Sequence, residues 1–238
     1  MFSRIKKFWW LGVLVLLLML GWALVEPYWL EEKNIEYSQD VPAGFDDYKI
    51  VFLTDIHYGP YFSTGRVREI VEETNALKPD LILLGGDYIS GNVNEIAPVF
   101  TELARLRAKD GVYGVLGNHD WRENGQLAWY KMQEAGIKIL DNRAVWLQRG
   151  EDKIRLGGVG DWWTDEVDFG PTTLDVGEKD LVIMVGHNPD VAEFENSGKI
   201  DLMLSGHMHG GQVTFFGMWG MVPSYYGQKY RAGWARGK

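Results

Sequence analysis

All five histidines of the chain lie in short polar groups beside glycine, aspartate or asparagine. His207 and His209 flank one methionine in the segment LSGHMHGGQ, and the others lie in DIH, GNHD and GHN, as His57, His119 and His187. A lone histidine in such a place is usually a satisfied hydrogen-bonding group. A full set concentrated in this way indicates shared chemistry.

Oxygen donors lie in groups of the same kind: Asp55 in DIH, Asn118 in GNHD, and Asp87 in GGD, which has no histidine. The chain has no cysteine, which excludes disulfides and thiolate metal sites. A mixed set of carboxylate, amide and imidazole donors suits catalytic divalent cations. The set exceeds what one ion needs and fits two ions that share a carboxylate.

The spacing of the donors also favours convergence. Asp55 and His57 are two residues apart, as are His207 and His209, and an extended chain puts such pairs on one face. We expect His207 and His209 to reach different ions. The neighbouring glycines leave room for metal or phosphate to approach the backbone.

The elements that carry these groups alternate between strands and helices, which predicts an α/β fold with substantial parallel pairing. Ligands bind beyond the carboxyl ends of strands in such folds, where the polar groups lie. The segments IKIL and AVWL are interpreted as a hairpin. The predicted strands cover residues 48–55, 81–84, 111–117, 137–140, 144–147, 153–159, 180–186, 200–205 and 212–216; the predicted helices cover residues 63–78, 94–108, 125–136 and a short segment from 189.

Composition limits the class of protein and of partner. Of the 238 residues, 46% are hydrophobic and 24% charged, which is typical of a globular protein. The formal net charge of -9 disfavours nucleic acid as a partner, although bound metal can reverse the local sign.

The N-terminus predicts a membrane anchor. Residues 8–25 are uncharged and apolar, long enough to span a bilayer. Arg4, Lys6 and Lys7 precede the run and Glu26 follows it, so the positive-inside rule places the N-terminus in the cytoplasm and the catalytic domain outside. A signal peptide cleaved near Ala23 and a monotopic or buried helix are the alternatives. The predicted division is an anchor at 1–25, a linker at 26–47 and a catalytic domain at 48–238.

The blocks DIH, GGD, GNHD, GHN and GHMH, in this order from Asp55 to His209, resemble those of the calcineurin-like metallophosphoesterases. The anchor and GHMHGGQ are most similar to a bacterial membrane-associated subgroup, which includes phosphodiesterases and enzymes that cleave the pyrophosphate of UDP-2,3-diacylglucosamine. The resemblance implies a four-layer α/β/β/α sandwich. The sequence differs from the protein phosphatases of the family after Gly86, where their second aspartate and their arginine are missing. The chain is also short at its C-terminus for the family.

The resemblance also implies a role for each residue. Asp87 is expected to bridge the two metals. His119 is expected to contact the phosphate and assist the leaving group without binding metal. Asp120 is interpreted either as the residue that orients His119 or as a solvated turn residue. The ligands of one metal would be Asp55, His57 and His209, and those of the other Asn118, His187 and His207.

The implied reaction is hydrolysis of a phosphodiester or pyrophosphate bond by a hydroxide formed on two divalent metal ions, of manganese, iron, zinc, nickel or cobalt. The anchor favours a lipid-linked substrate at a membrane surface. A substrate on the cytoplasmic side would require the opposite orientation of the domain. A secreted or cell-wall phosphatase and a catalytically silent metal-binding scaffold are the alternatives.

Two aromatic segments each fit two interpretations. GDWWTDEVDFG, residues 160–170, is interpreted as a packed surface loop, with a lid or acyl contact as the alternative. FFGMWGMVPSYYG, residues 215–227, fits either a lipid contact or a strand and turn of the sandwich.

Overall fold

A computed structural model describes residues 9–215 and 217–238, which form two compact units divided between Ser38 and Gln39. The first unit contains helix α1, Trp9–Val25, followed by a 3₁₀ turn at Glu26–Tyr28. None of the described α1 residues is buried. Within the described ranges, no helix has both the length and the apolar character needed to cross a bilayer. Phe8, the first residue of the predicted span, lies outside them.

The second unit contains a first sheet in which all strands are parallel, in the order β1-β2-β3-β4. Its second strand, LILL, is buried at every residue, as expected for a parallel strand covered on both faces. The strands are β1 Ile50–Leu53, β2 Leu81–Leu84, β3 Val112–Gly114 and β4 Lys138–Ile139.

Three helices pack against this sheet: α2 Thr64–Ala76, α3 Ile96–Leu103 and α4 Asn118–Glu134. The core between them includes the fully buried Val67 and Val71 of α2. The GNHD block, expected to form a turn, instead supplies the first turn of α4. A kink at Asn124 interrupts this helix just before Gly125, where the predicted helix began.

The second sheet has the order β5-β6-β7-β8, with β5 antiparallel to β6 and the other pairs parallel. Gly158 of β6 faces Val115 and Leu140, so the two sheets meet face to face. A short hairpin follows, and Phe216 within it lies outside the described residues. The remaining elements are β5 Arg143–Arg149, β6 Asp152–Gly158, α5 Gly170–Thr173, β7 Val182–Val185, β8 Leu202–Leu204, β9 Thr214–Phe215 and β10 Trp219–Gly220.

The predicted hairpin between IKIL and AVWL is wrong. β4 pairs with β3 in the first sheet, whereas β5 pairs with β6 in the second. The chain passes between the sheets at Asp141 and Asn142, the latter with a left-handed backbone (φ 52°). The buried Leu140 holds the end of β4 in place through its N–H, which donates to Gly114 O at 2.8 Å.

The α/β class with parallel sheets is confirmed, and the arrangement is consistent with the expected sandwich. The end of the predicted linker is folded. Ala43–Phe45 form a 3₁₀ turn, Phe45 is buried, and Gly44 N donates to Asp152 Oδ2 at 2.7 Å.

Candidate metal centre

Backbone hydrogen bonds bring the loops at the strand ends together. Asp55 N donates to Gly86 O at 3.0 Å, and His57 N donates to Asp87 O at 3.1 Å. His207 N donates to both carboxylate oxygens of Asp55, each at 3.0 Å. These bonds join the first, second and last polar groups of the sequence into one surface.

A left-handed backbone is shared by most of the predicted ligands. Such a backbone is rare for residues other than glycine and costs on the order of 1 kcal/mol or more at each position. Strain of this kind is commonly concentrated at functional sites. The residues concerned are Asp55 (φ 53°), His57 (φ 48°), Asp87 (φ 54°), His207 (φ 68°) and His209 (φ 48°).

Two glycines give room to the carboxylates of candidate ligands, whereas approach of metal or phosphate to the glycine backbone stays a prediction. A Cβ at Gly117 would clash with the Asp87 side chain, and one at Gly206 would clash with Thr54 and Asp55. The carboxylates of Asp55 and Asp87 therefore occupy space that the side chain of any larger residue in place of the two glycines would fill.

The first cluster consists of Asp55, His57 and His209, whose donor atoms lie close enough to hold one ion. His209 Nε2 is 3.4 Å from Asp55 Oδ1 and 3.2 Å from His57 Nε2. These are three of the residues expected to bind the first metal.

The second cluster consists of Asp87, His187 and His207, all buried. His187 Nε2 is 3.2 Å from Asp87 Oδ2 and 3.2 Å from His207 Nδ1. Asn118 lines the same cleft as Asp87 and His207, and its Oδ1 is buried without a hydrogen-bond partner. Asp87 Oδ2 is also 3.6 Å from His57 Nε2 of the first cluster, so this carboxylate lies between the two clusters as a bridging ligand would.

The hydrogen bonds of the rings show why cations fit here. His57 Nδ1 is 3.2 Å from Ile89 O, and His187 Nδ1 is 2.8 Å from Gly85 O. A carbonyl oxygen can only accept, so each Nδ1 carries a proton, and the neutral ring then presents a lone pair at Nε2. Both lone pairs point toward the Asp87 carboxylate, an arrangement that is repulsive until a proton or a cation lies between them.

The pKa values of this group reflect the same arrangement. Burial opposes the charge on Asp87, but the hydrogen bond and charge of His187, the His119 N–H and the charge of His57 together outweigh it and lower the pKa to about 2. Burial likewise opposes protonation of His187, yet Asp87 raises the pKa of that ring to about 9. Burial lowers the pKa of His57, and burial together with His187 lowers that of His207 to about 3. A proton on His187 therefore occupies the place that a metal would take.

His119 lies at the edge of the two clusters and lines the cleft. Its Nδ1 is 2.7 Å from Ser90 O and its backbone N–H donates to Asp87 Oδ1 at 2.8 Å. Its ring is 4.8 Å from that of His57, and it can form a third ion-binding group with His57 and Asp87. Its expected role as a residue that does not bind metal stays a prediction.

The interpretation of Asp120 as a solvated turn residue is wrong, whereas a role in orienting His119 stays a prediction that no contact described for Asp120 supports. The residue is fully buried rather than solvated, and Ser90, not Asp120, contacts His119 Nδ1. Asp120 Oδ2 accepts from the N–H groups of Asp87 and Gly117, each at 2.9 Å, and Oδ1 accepts from Tyr88 N at 3.0 Å. Asp120 therefore fastens the GGD loop to the start of α4.

This contact predicts the effect of Asp120→Asn. The amide has one acceptor oxygen, so at least one buried N–H loses its partner, at a cost of about 1–3 kcal/mol. We expect a lower free energy of unfolding in urea and weaker metal binding, with the shape of the pH–rate profile retained. A changed pH profile without loss of stability would instead support a direct role in proton transfer.

Sequence reasoning missed two residues of the cleft, Arg122 and Trp163. The cleft has a volume of about 240 Å³. Trp163 contacts the ring of His207 edge-on with 4.4 Å between centroids, so the loop 160–170 borders the cleft, and its alternative role as a lid or acyl contact stays a prediction. Arg122 follows Asn118 by four residues, which is the spacing of neighbours on a helix face. The spacing places Arg122 at the cleft only if GNHD is helical, and the sequence predicted a turn there. The lining residues are Asp87, Asn118, His119, Arg122, Trp163, His207, Met208, His209, Gln212, Met221 and Pro223.

Comparisons with known proteins agree with this site. The sequence profile of the calcineurin-like phosphoesterase family matches residues 48–211, which include all the candidate ligands. The chain is 33% identical over 198 residues to phosphodiesterase YaeI of Escherichia coli (strain K12), an alignment that covers 79% of this chain and 70% of that protein.

Two further relatives are more distant. The chain is 30% identical over 217 residues to the uncharacterized metallophosphoesterase YkuE of Bacillus subtilis (strain 168), covering 88% of this chain and 75% of the relative. It is 29% identical over 189 residues to a transmembrane protein with metallophosphoesterase domain from Danio rerio, covering 74% of this chain and 43% of that longer protein. The chain belongs to the calcineurin-like phosphoesterase family and is a metallophosphoesterase.

Proposed function

We propose that this protein hydrolyses phosphodiester or pyrophosphate bonds at a centre of two divalent metal ions, with manganese as a suitable ion. One ion would be held by Asp55, His57 and His209. The other would be held by Asn118, His187 and His207, and both would be held by Asp87. When bound, the ions supply positive charge that activates water and neutralises charge on the phosphate oxygens.

The observation that carries this proposal is the position of Asp87. Its buried carboxylate lies 3.2 Å from His187 Nε2 and 3.6 Å from His57 Nε2, and each ring atom has a lone pair for a cation once it carries no proton. The Oδ1 atom of Asn118 is buried without a hydrogen-bond partner in the described part of the chain. Unpaired buried donors and acceptors are costly, and cations would satisfy the lone pairs among them.

His119 is positioned for proton transfer beside these ligands. Because its Nδ1 is bonded to Ser90 O, Nε2 is the ring atom free to exchange a proton with a substrate in the cleft. The ring is held in place by this bond and by the contact with His57. We assign His119 the role of stabilising the leaving oxygen.

We further propose that the substrate is lipid-linked and that residues 8–25 anchor the protein in a membrane, with the catalytic unit on the extracytoplasmic side. Several features support this. The side chains of α1 are apolar and exposed, and basic residues precede them. Met221, which lines the cleft, is 80% exposed. The relative from Danio rerio is named as a transmembrane protein.

The catalytic proposal is tested with the full chain purified in detergent and supplied with Mn²⁺. We expect hydrolysis of bis-p-nitrophenyl phosphate or of a lipid-linked nucleotide diphosphate at a rate above that of p-nitrophenyl phosphate, a monoester. Absence of turnover of all three with metal bound would refute the enzymatic function.

The assignment of ligands is tested by His207→Ala and His209→Ala. Each variant is expected to lose one of two ions when metal content is measured by mass spectrometry, and to lose activity by about 10²-fold or more, because the two ions act together. Two retained ions in either variant would contradict the assignment.

Fractionation of cells, with protease added from the outside, tests the anchor and its orientation.

A further inference from the structure

Arg122 occupies an unusual position for a cation in this acidic chain. It lies in the first two turns of α4, exposed and in the wall of the cleft. Among the described residues that line the cleft, it is the only lysine or arginine. Within residues 9–215 and 217–238, no carboxylate lies within ion-pair distance of Arg122, whereas Arg68 and Arg149 are both paired with acidic residues.

The contact that Arg122 does make is with Trp163. Its Cζ lies 5.8 Å from the centre of that ring, within the range of a cation–π interaction. Such a contact fixes the direction of the guanidinium while leaving its N–H groups available to an anion.

The backbone of Trp163 is held by a buried side chain, while the indole is 37% exposed. Asp161 is fully buried, and its Oδ2 accepts from Trp163 N at 3.0 Å and from Thr164 Oγ1 at 2.8 Å. The ring of Trp163 also contacts the ring of His207, with 4.4 Å between the two centroids. One indole ring therefore contacts both a candidate metal ligand and the guanidinium.

The spacing on α4 indicates what Arg122 can reach. Residues four apart on a helix have Cβ atoms about 5–6 Å apart, so Arg122 starts one turn along from Asn118. The longer arginine side chain ends beyond Asn118, on the Trp163 side of the cleft. An anion bound by the guanidinium would therefore lie next to a phosphate held at the metal ligands, in the same cleft.

We propose that Arg122, supported by Trp163, forms a subsite for a second phosphate group of the substrate. The substrate class selected by this subsite is the pyrophosphate diester, in which a second charged phosphate adjoins the one that is attacked. A simple phosphodiester has no second charged phosphate to place there. This inference rests on the proposed hydrolytic function and narrows it to one of its two substrate classes.

The test compares two substrates with the Mn²⁺-loaded full chain: UDP-glucose, a pyrophosphate diester, and bis-p-nitrophenyl phosphate. We expect Arg122→Gln to lower the ratio of kcat/KM for UDP-glucose to that for bis-p-nitrophenyl phosphate by about 10- to 100-fold, as for loss of a charge-assisted hydrogen bond. Arg122→Lys retains the charge but not the planar fork and is expected to recover part of the ratio.

Arg143 supplies a matched control, because its guanidinium lies 5.4 Å from the ring of Trp129 in a similar stack, and neither residue lines the cleft. Arg143→Gln is expected to leave the substrate ratio at the wild-type value. Circular dichroism melting of each variant checks that the fold is retained.

Three results separate this inference from the function on which it rests. An Arg122→Gln ratio within twofold of wild type, or wild-type enzyme that cleaves bis-p-nitrophenyl phosphate but not UDP-glucose, would overturn the subsite and leave the phosphoesterase function standing. No cleavage of either substrate by wild-type protein with two ions bound would overturn the function itself.

Discussion

Replacing Asp87 by alanine is expected to lower kcat/KM for phosphodiester hydrolysis by about 10³-fold or more, because one carboxylate serves both clusters. Its Oδ2 lies 3.2 Å from His187 Nε2 and 3.6 Å from His57 Nε2, and Oδ1 accepts from His119 N. Loss of charge stabilisation worth several kcal/mol corresponds to a rate change of this size. Metal analysis of the variant is expected to find fewer than two ions per chain.

Asp80 provides the control for this substitution. It precedes β2 where Asp87 follows it, so the two aspartates lie at opposite ends of the same strand. Asp80 is also largely buried, but it is paired with Lys109 and Arg149. Asp80→Asn is expected to reduce stability while both ions stay bound. Equal losses of metal in the two variants would mean that the effect of Asp87→Ala is only structural.

Adding Mn²⁺ to the metal-free protein is expected to raise its Tm by about 8–16 °C. A ligand present at about a thousand times its Kd stabilises the native state by about 4 kcal/mol, and each kcal/mol shifts Tm by about 2–4 °C in a chain of this size. The physical reason is that cations would neutralise the lone pairs and carboxylates now facing one another. Differential scanning calorimetry measures the shift, and Asp87→Ala is expected to show a smaller one.

This stabilisation is expected to depend on pH through His187. Asp87 raises the pKa of the His187 ring from 6.5 to about 9 against the effect of burial. The ion pair therefore stabilises the metal-free protein fully below about pH 6.5, and that contribution is lost as pH rises through about 9. Because the ion must displace this proton, the Tm shift on adding Mn²⁺ is expected to be larger at pH 8 than at pH 6. A shift independent of pH would contradict this.

The convergence of the polar groups could be predicted because it depends on a general property of parallel sheets. Strand ends such as those before Asp55, Asp87 and Asn118 meet at one edge wherever parallel strands pair. The buried strand LILL was equally clear, since its apolar run has no polar face. These features depend on local composition and on the order of elements along the chain.

The backbone that brings Asp55 and His57 together could not be predicted. The spacing predicted an extended chain, in which residues two apart share a face. In the structure both residues are left-handed, with φ of 53° and 48°. The two side chains meet because Gly86 O and Asp87 O accept hydrogen bonds from their backbone N–H groups, a tertiary constraint that local spacing does not carry.

Long-range contacts account for the other differences. The roles of Asp120 and Trp163 depend on partners 33 and 44 residues away, Asp87 and His207. The hairpin prediction failed for a similar reason, since the pairing of β4 with β3 depends on register within the first sheet. In each case the local pattern was compatible with two structures, and a contact distant in sequence selected one.

The central claim is that hydrolysis requires two ions held by these strand-end groups. The most direct measurement is a titration of metal-free protein with Mn²⁺ in which bound ions and hydrolysis of bis-p-nitrophenyl phosphate are followed together. We predict no turnover in chelator and a rise to a plateau at two ions per chain. Full turnover at zero bound ions, or a plateau at two bound ions with no turnover of any phosphodiester or pyrophosphate substrate, would contradict the claim.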